Sequence, residues 1–191
     1  MSCSGSCSGG KCDCSCENEC YLQVGHLAPS FDVEGFFKGQ KAKYSLKGHK
    51  GKWVILFFYP LDFTFVCPTE LVELSKRHNE FEGINTQVLG MSVDSVYSHE
   101  AWLKELGELN YPLLSDITKE VSADYNVLIP EKGISLRGAF IIDPEGVLKC
   151  YMVNDLGVGR NVDELKRLIS AFQTGDLCPV GWKPGEKTLG K

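Results

Sequence analysis

Residues 53–81, WVILFFYPLDFTFVCPTELVELSKRHNEF, constrain the fold more than any other part of this chain. Seven apolar or aromatic residues run without a break from Trp53 to Tyr59. A run of that length without polar alternation predicts a strand buried on both faces, as in a parallel sheet. Pro60 stops the strand. Leu71, Leu74, His78 and Phe81 then recur at helical spacing. Cys67 therefore sits where a buried strand hands over to a helix. Thr64 caps that helix with Cys67 at its third position, or Cys67 caps it with Pro68 first and Glu70 third. Either way the sulfur lies in the first turn.

A thiol in that position meets unpaired backbone N–H groups and the positive end of the helix dipole, both of which favour its anion. A neighbouring arginine adds to the effect. The competing reading is a buried core cysteine, the common fate of a lone Cys. The shaped turn marked by Pro60, Thr64, Pro68 and Thr69 favours the reactive thiol.

The segment PLDFTFVCPTE, residues 60–70, resembles the active-site motif of peroxiredoxins, P-x-x-x-T-x-x-C. Its surroundings, FFYPLDFTFVCPTE, are similar to the typical two-cysteine branch, the alkyl hydroperoxide reductase C type. A second block, GDLCPVGWKPG at 175–185, resembles the resolving-cysteine segment of the same branch. The likeness covers about residues 22–186.

The resemblance implies a thiol-dependent peroxidase acting on hydrogen peroxide and organic hydroperoxides. It implies that Cys67 is the peroxidatic residue and Cys178 the resolving one, paired between subunits. Arg137 matches the active-site arginine, Thr64 the hydroxyl that binds peroxide, and Pro60 the residue that walls sulfur from water. Glu70 is expected to orient Arg137, and Arg160 to belong to the same arginine network. Without the resemblance, Arg137 reads as a surface ion pair, Thr64 and Glu70 as capping residues and Pro60 as a strand terminator. The resemblance also implies a homodimer, a ring of dimers, and a dithiol donor that is thioredoxin or a flavoprotein disulfide reductase. No cofactor is required. Sensitive members carry a Gly-Gly-Leu-Gly insertion before the segment matching 110–116 and a C-terminal Tyr-Phe helix. Neither is present here, which implies fast resolution and resistance to sulfinic over-oxidation.

Along the chain, residues 1–20 hold six of the nine cysteines: Cys3, Cys7, Cys12, Cys14, Cys16 and Cys20. The rest of that stretch is mostly Ser, Gly and polar, so it is expected to be a flexible tail. Its repeated C-x-C spacing suits a soft metal ion such as Zn²⁺ or Cu⁺. Residues 21–172 form the expected peroxidase domain, and 173–191 a Gly- and Pro-rich arm carrying Cys178.

Within the domain, strands are expected at 87–93, 111–114, 139–142 and 147–153. A helix capped by Ser98 follows the first of these, and one capped by Asp116 follows the second. The turn DPEG at 143–146 precedes the last strand, and a helix capped by Asn161 with Glu164 at its third position comes after it. Residues 25–31 and 46–51 read as loops. This order predicts an α/β, thioredoxin-like fold with a central mixed sheet flanked by helices. Cys150, on the returning strand, reads as structural. So do His26, His49, His78 and His99, which form no ligand spacing. Trp102, Trp182 and Phe65 read as packing or subunit-contact residues.

A net charge of −5 with no basic tract argues against nucleic acid, and the chain has no apolar run long enough to span a membrane. Lack of an apolar leader predicts the cytoplasm. Two other classes compete with the peroxidase. A thioredoxin-type dithiol oxidoreductase needs C-x-x-C, and Cys67-Pro-Thr-Glu70 lacks the second Cys. A metal-sequestering or chaperone-like assembly would use the cysteine-rich tail.

Overall fold

The computed structural model describes residues 22–191. The flexible-tail and metal expectations for 1–20 lie outside the described residues. In chain order the elements are strands β1 (Asp32–Phe37) and β2 (Gln40–Ser45), a short 3-10 helix (Leu46–His49), and strand β3 (Trp53–Phe58). Then come helices α1 (Cys67–Lys76) and α2 (His78–Glu82), strand β4 (Thr86–Ser92), helix α3 (Val96–Leu106) and strand β5 (Leu113–Ser115). Helix α4 (Glu120–Asp124) and the short strands β6 (Leu128–Ile129) and β7 (Ile134–Ser135) follow. Strands β8 (Arg137–Ile142) and β9 (Leu148–Asn154) and helix α5 (Val162–Thr174) complete the series.

Seven strands form one mixed sheet in the order β2-β1-β5-β4-β3-β8-β9. β3, β4 and β5 are parallel, while β8 runs antiparallel to β3. The unbroken apolar run explains why β3 lies near the middle. Ile55, Phe57 and Tyr59 enter the core on one face with Leu71, Leu74, Phe81, Leu165 and Ile169. Val54, Leu56 and Phe58 enter the core on the other, with Leu114, Tyr125, Val127 and Phe140. Alternate residues point to opposite faces, so a strand with helices on both sides needs apolar residues at every position.

Most expected elements are present, with four local corrections. The hairpin β1–β2 occupies residues 32–45, where the sequence predicts no element. Its two-residue turn puts Lys38 and Gly39 at φ 47° and 77°, the backbone that lets such a turn follow strand twist. The helix expected through Phe81 bends at Arg77 (φ −96°, ψ 9°) and becomes two. Ser95, not Ser98, caps α3 by accepting from the Ser98 N–H, while the Ser98 hydroxyl turns to Asp62. At α1 neither expected cap occurs: Val66 is the capping residue, with no side-chain cap, and Cys67 is the first helical residue. The Thr64 hydroxyl instead donates to the Leu61 carbonyl.

Other end signals work as expected. Asp116 accepts from the Val121 and Ser122 amides at the start of α4. Asn161 Oδ1 accepts from Asp163 and Glu164. Gly175, at φ 68°, ends α5 in the left-handed conformation that glycine adopts most easily.

Candidate active site

Three segments converge at the C-terminal end of β3. The turn at 60–66 delivers Cys67 to the first position of α1. β8 is antiparallel to β3, with Ala139 opposite Phe57, so its first residue, Arg137, lies at the same end. The connection from β9 to α5 supplies Arg160. Residues 67, 137 and 160, far apart in sequence, are thus brought together by strand direction.

Cys67 is fully buried, and Arg137, Arg160 and Glu70 are nearly so. Arg137 Nη1 donates to Cys67 Sγ at 3.4 Å and to Glu70 Oε2 at 2.8 Å, and its Nε donates to the Leu156 carbonyl at 2.8 Å. Arg160 grips the same carboxylate with Nε (2.9 Å), Nη2 (3.1 Å) and its backbone N–H (2.7 Å). Its Nη1 donates to the carbonyls of Phe58 (2.8 Å) and Gly138 (2.5 Å). The guanidinium also lies 3.3 Å from the Phe57 ring centroid. Burial pulls Arg160 below the usual arginine range, opposed by its bonds to Glu70.

The charge count is informative. Two buried guanidiniums share one buried carboxylate, so the cluster carries an excess positive charge beside sulfur. Buried charge without a partner is costly.

Pro60 is buried at the end of β3, beside the turn, and Thr64 is half-buried within it. Cys178 sits beyond α5, away from this cluster. Its sulfur lies 3.6 Å from Thr174 Oγ1 and 3.8 Å from the Ala171 carbonyl. The arm closes on itself through Leu177 N–H to Gly190 O and Leu189 N–H to Leu177 O. Trp182 is buried, and the Arg167 guanidinium donates to its carbonyl. Cys67, Cys150 and Cys178 are free thiols. Burial pushes the Cys150 thiol up. Among the described residues no group of His, Cys, Asp or Glu is arranged to hold a metal ion. His99, expected to be structural, is buried, and it meets Asp62, which no motif marks, 2.9 Å away in the core. Thirty-seven residues separate them, and no local pattern marks the pair.

Fold and site together define a class: an α/β protein that holds one buried thiol facing a guanidinium. The AhpC/TSA family model matches residues 24–151, and that for the C-terminal domain of 1-Cys peroxiredoxin matches 171–190. The chain is 55% identical over 177 residues to the chloroplastic 2-Cys peroxiredoxin BAS1 of Spinacia oleracea, covering 87% of this chain and 67% of that one. It is 52% identical over 173 residues to the mitochondrial thioredoxin-dependent peroxide reductase of Drosophila melanogaster, covering 85% and 74%. The crystal structure of reduced Plasmodium vivax 2-Cys peroxiredoxin superposes with a TM-score of 0.86 at 43% identity, covering 88% of this chain and 93% of that chain. The chain belongs to the AhpC/TSA family as a typical 2-Cys peroxiredoxin. Its fold is thioredoxin-like, and it is a thiol-dependent peroxidase.

The cytoplasmic expectation is overturned by these relatives, whose chloroplastic and mitochondrial names point to an organelle. Lack of an apolar leader does not exclude an organelle, because transit peptides are amphipathic and carry none.

Proposed function

We propose that Cys67 reduces hydrogen peroxide and organic hydroperoxides as a thiolate and that Cys178 of the partner subunit resolves the product. The observation that carries this reading is the excess positive charge of Arg137, Arg160 and Glu70 beside a buried sulfur. A thiolate at Cys67 neutralises it, and a guanidinium N–H directed at sulfur favours that anion.

The thiolate attacks one peroxide oxygen and the O–O bond breaks. The sulfur becomes sulfenic acid, and the departing oxygen takes a proton to leave as water or alcohol. Arg137 stabilises the negative charge that develops on the leaving oxygen. The Thr64 hydroxyl orients the peroxide, and Pro60 keeps water from sulfur. Glu70 and Arg160 fix the Arg137 side chain. The thiol of Cys178 of the partner subunit then attacks the sulfenic sulfur. An S–S bond forms and water departs. A dithiol donor returns two electrons and two protons, restoring both thiols. The donor is a thioredoxin, the dependence named for the Drosophila relative.

Cys178 lies outside the Cys67 cluster within its own chain, which supports intersubunit pairing and requires α1 to unwind at its first turn. Assembly into a homodimer and a ring of dimers is supported by the edge strand β9 with exposed Tyr151 and Val153, and by the almost fully exposed Phe65. Trp102 and Trp182, by contrast, are packing residues inside the subunit. We divide the chain functionally into a tail at 1–20, a peroxidase domain at 21–172 and a resolving arm at 173–191.

Cys67→Ser should abolish peroxide consumption, whereas persistent turnover would refute the assignment. One equivalent of peroxide should give a dimer band on non-reducing electrophoresis, and Cys178→Ser should remove it.

A further inference from the structure

The turn at 60–66 is anchored on its side remote from sulfur by a buried polar cluster centred on Asp62. Asp62 Oδ1 accepts the Tyr59 hydroxyl at 2.9 Å. Oδ2 accepts the Ser98 hydroxyl at 2.7 Å and lies 2.9 Å from His99 Nδ1. The Asp62 N–H donates to Asp94 Oδ2 at 2.9 Å. His99, fully buried on α3, places Nε2 3.2 Å from the Leu114 carbonyl of β5. The ring thereby bridges the turn's carboxylate and the backbone of β5. The groups facing it are Asp62 from the turn, Tyr59 after β3 with its hydroxyl 3.4 Å from Nδ1, Asp94 after β4 and Leu114 from β5. Burial pushes the Tyr59 phenol up, which keeps it a donor.

Next to Asp62, Phe63 holds φ at 55°, a left-handed conformation that aromatic residues seldom adopt. Its ring tilts against Trp102 of α3, with centroids 6.1 Å apart. A strained residue therefore sits between a buried hydrogen-bonded anchor and the turn that ends at Cys67.

We propose that Asp62 and His99 are positioning residues of the peroxidase reaction, holding the strained turn closed so that their release sets the rate of disulfide formation. This rests on the roles given above to Cys67 and Cys178. With the pair intact, Cys67 stays at the start of α1 facing Arg137, the geometry for the peroxide step. When the ring's contacts to Asp62 and the Leu114 carbonyl break, each buried acceptor loses a partner. The anchor weakens, strain at Phe63 relaxes and the first turn of α1 opens toward Cys178 of the partner subunit. The two steps respond in opposite directions: weakening the anchor slows oxidation of Cys67 and speeds the disulfide.

Stopped-flow measurement on the full chain separates the two steps. His99→Gln should form the disulfide roughly tenfold faster than wild type, the effect of losing one buried hydrogen bond. Its peroxide step should be slower. Ser98→Ala, which removes one hydroxyl donor, should shift both rates the same way by a smaller factor. Wild-type rates for both steps in H99Q would overturn the proposal. If H99Q does not fold, unchanged rates in S98A would do so. Failure of the underlying reading looks different, because Cys67→Ser would then retain turnover.

Discussion

Glu70 and Arg160 are joined by three hydrogen bonds, two from the guanidinium and one from the backbone N–H, and Arg137 takes the outer side of the same carboxylate. One acid thereby fixes two cations that would otherwise repel each other in the core. Glu70→Gln leaves both without their shared counter-charge. Breaking a buried pair in this way typically costs about 3–5 kcal/mol. The variant is expected to unfold at clearly lower denaturant concentration and to lose peroxide reactivity, measured by chemical denaturation and by initial rates.

Arg137→Gln removes the donor to sulfur while retaining a polar side chain. The first-order expectation is a loss of ~100-fold in the rate of Cys67 oxidation, the scale for one preorganised donor at developing negative charge. Stopped-flow oxidation checks it, with far-UV circular dichroism to verify the fold.

Acid should weaken the packing of α2 on α5 through Glu80. Hydrogen bonds from Arg77 and then Lys166 lower this carboxyl from 4.5 to about 2. Its stabilising contribution is present above pH 4.5 and lost as pH falls toward 2. Glu80→Gln should lower the melting temperature at neutral pH, with the gap to wild type closing across that window.

Peroxide cycling with donor present should leave Cys67 largely free of sulfinic acid. The chain passes from α3 to β5 without an inserted Gly-Gly-Leu-Gly segment: Leu106, the last residue of α3, is followed by Gly107 at φ 93°. Mass spectrometry showing Cys67 sulfinic acid at low peroxide would refute this.

Cys150 should react with iodoacetamide more slowly than an unburied cysteine. Burial and then the negative charge of Glu164 push this thiol up. Peptide mapping of alkylation against time checks the rate, and early labelling of Cys150 would count against its structural role.

The sequence made β3 legible because burial on both faces leaves an unbroken apolar run. It made α5 legible because Asn161 and the spacing of Val162, Leu165 and Ile169 mark one amphipathic helix. The β1–β2 hairpin escaped because β2, QKAKYS, lies at the sheet edge with mostly exposed side chains and needs no apolar alternation. The contact between Arg137 and Cys67 was legible only through motif resemblance. The Asp62–His99 pair was not, since its two halves meet only when the 60–66 turn packs against α3. Ser98 misled for a related reason: a serine near a helix start reads as a cap, while tertiary contact gives its hydroxyl another partner.

Because Cys67 has no solvent-accessible surface in the closed subunit, its measured reactivity depends on probe size. A slim oxidant that slips past the turn reports the sulfur's own nucleophilicity. A bulky alkylating agent must wait for the helix to fray, and its labelling rate becomes a clock for that motion. Inhibitors screened with large electrophiles would therefore rank variants by how often the door opens, not by how well they cleave an O–O bond.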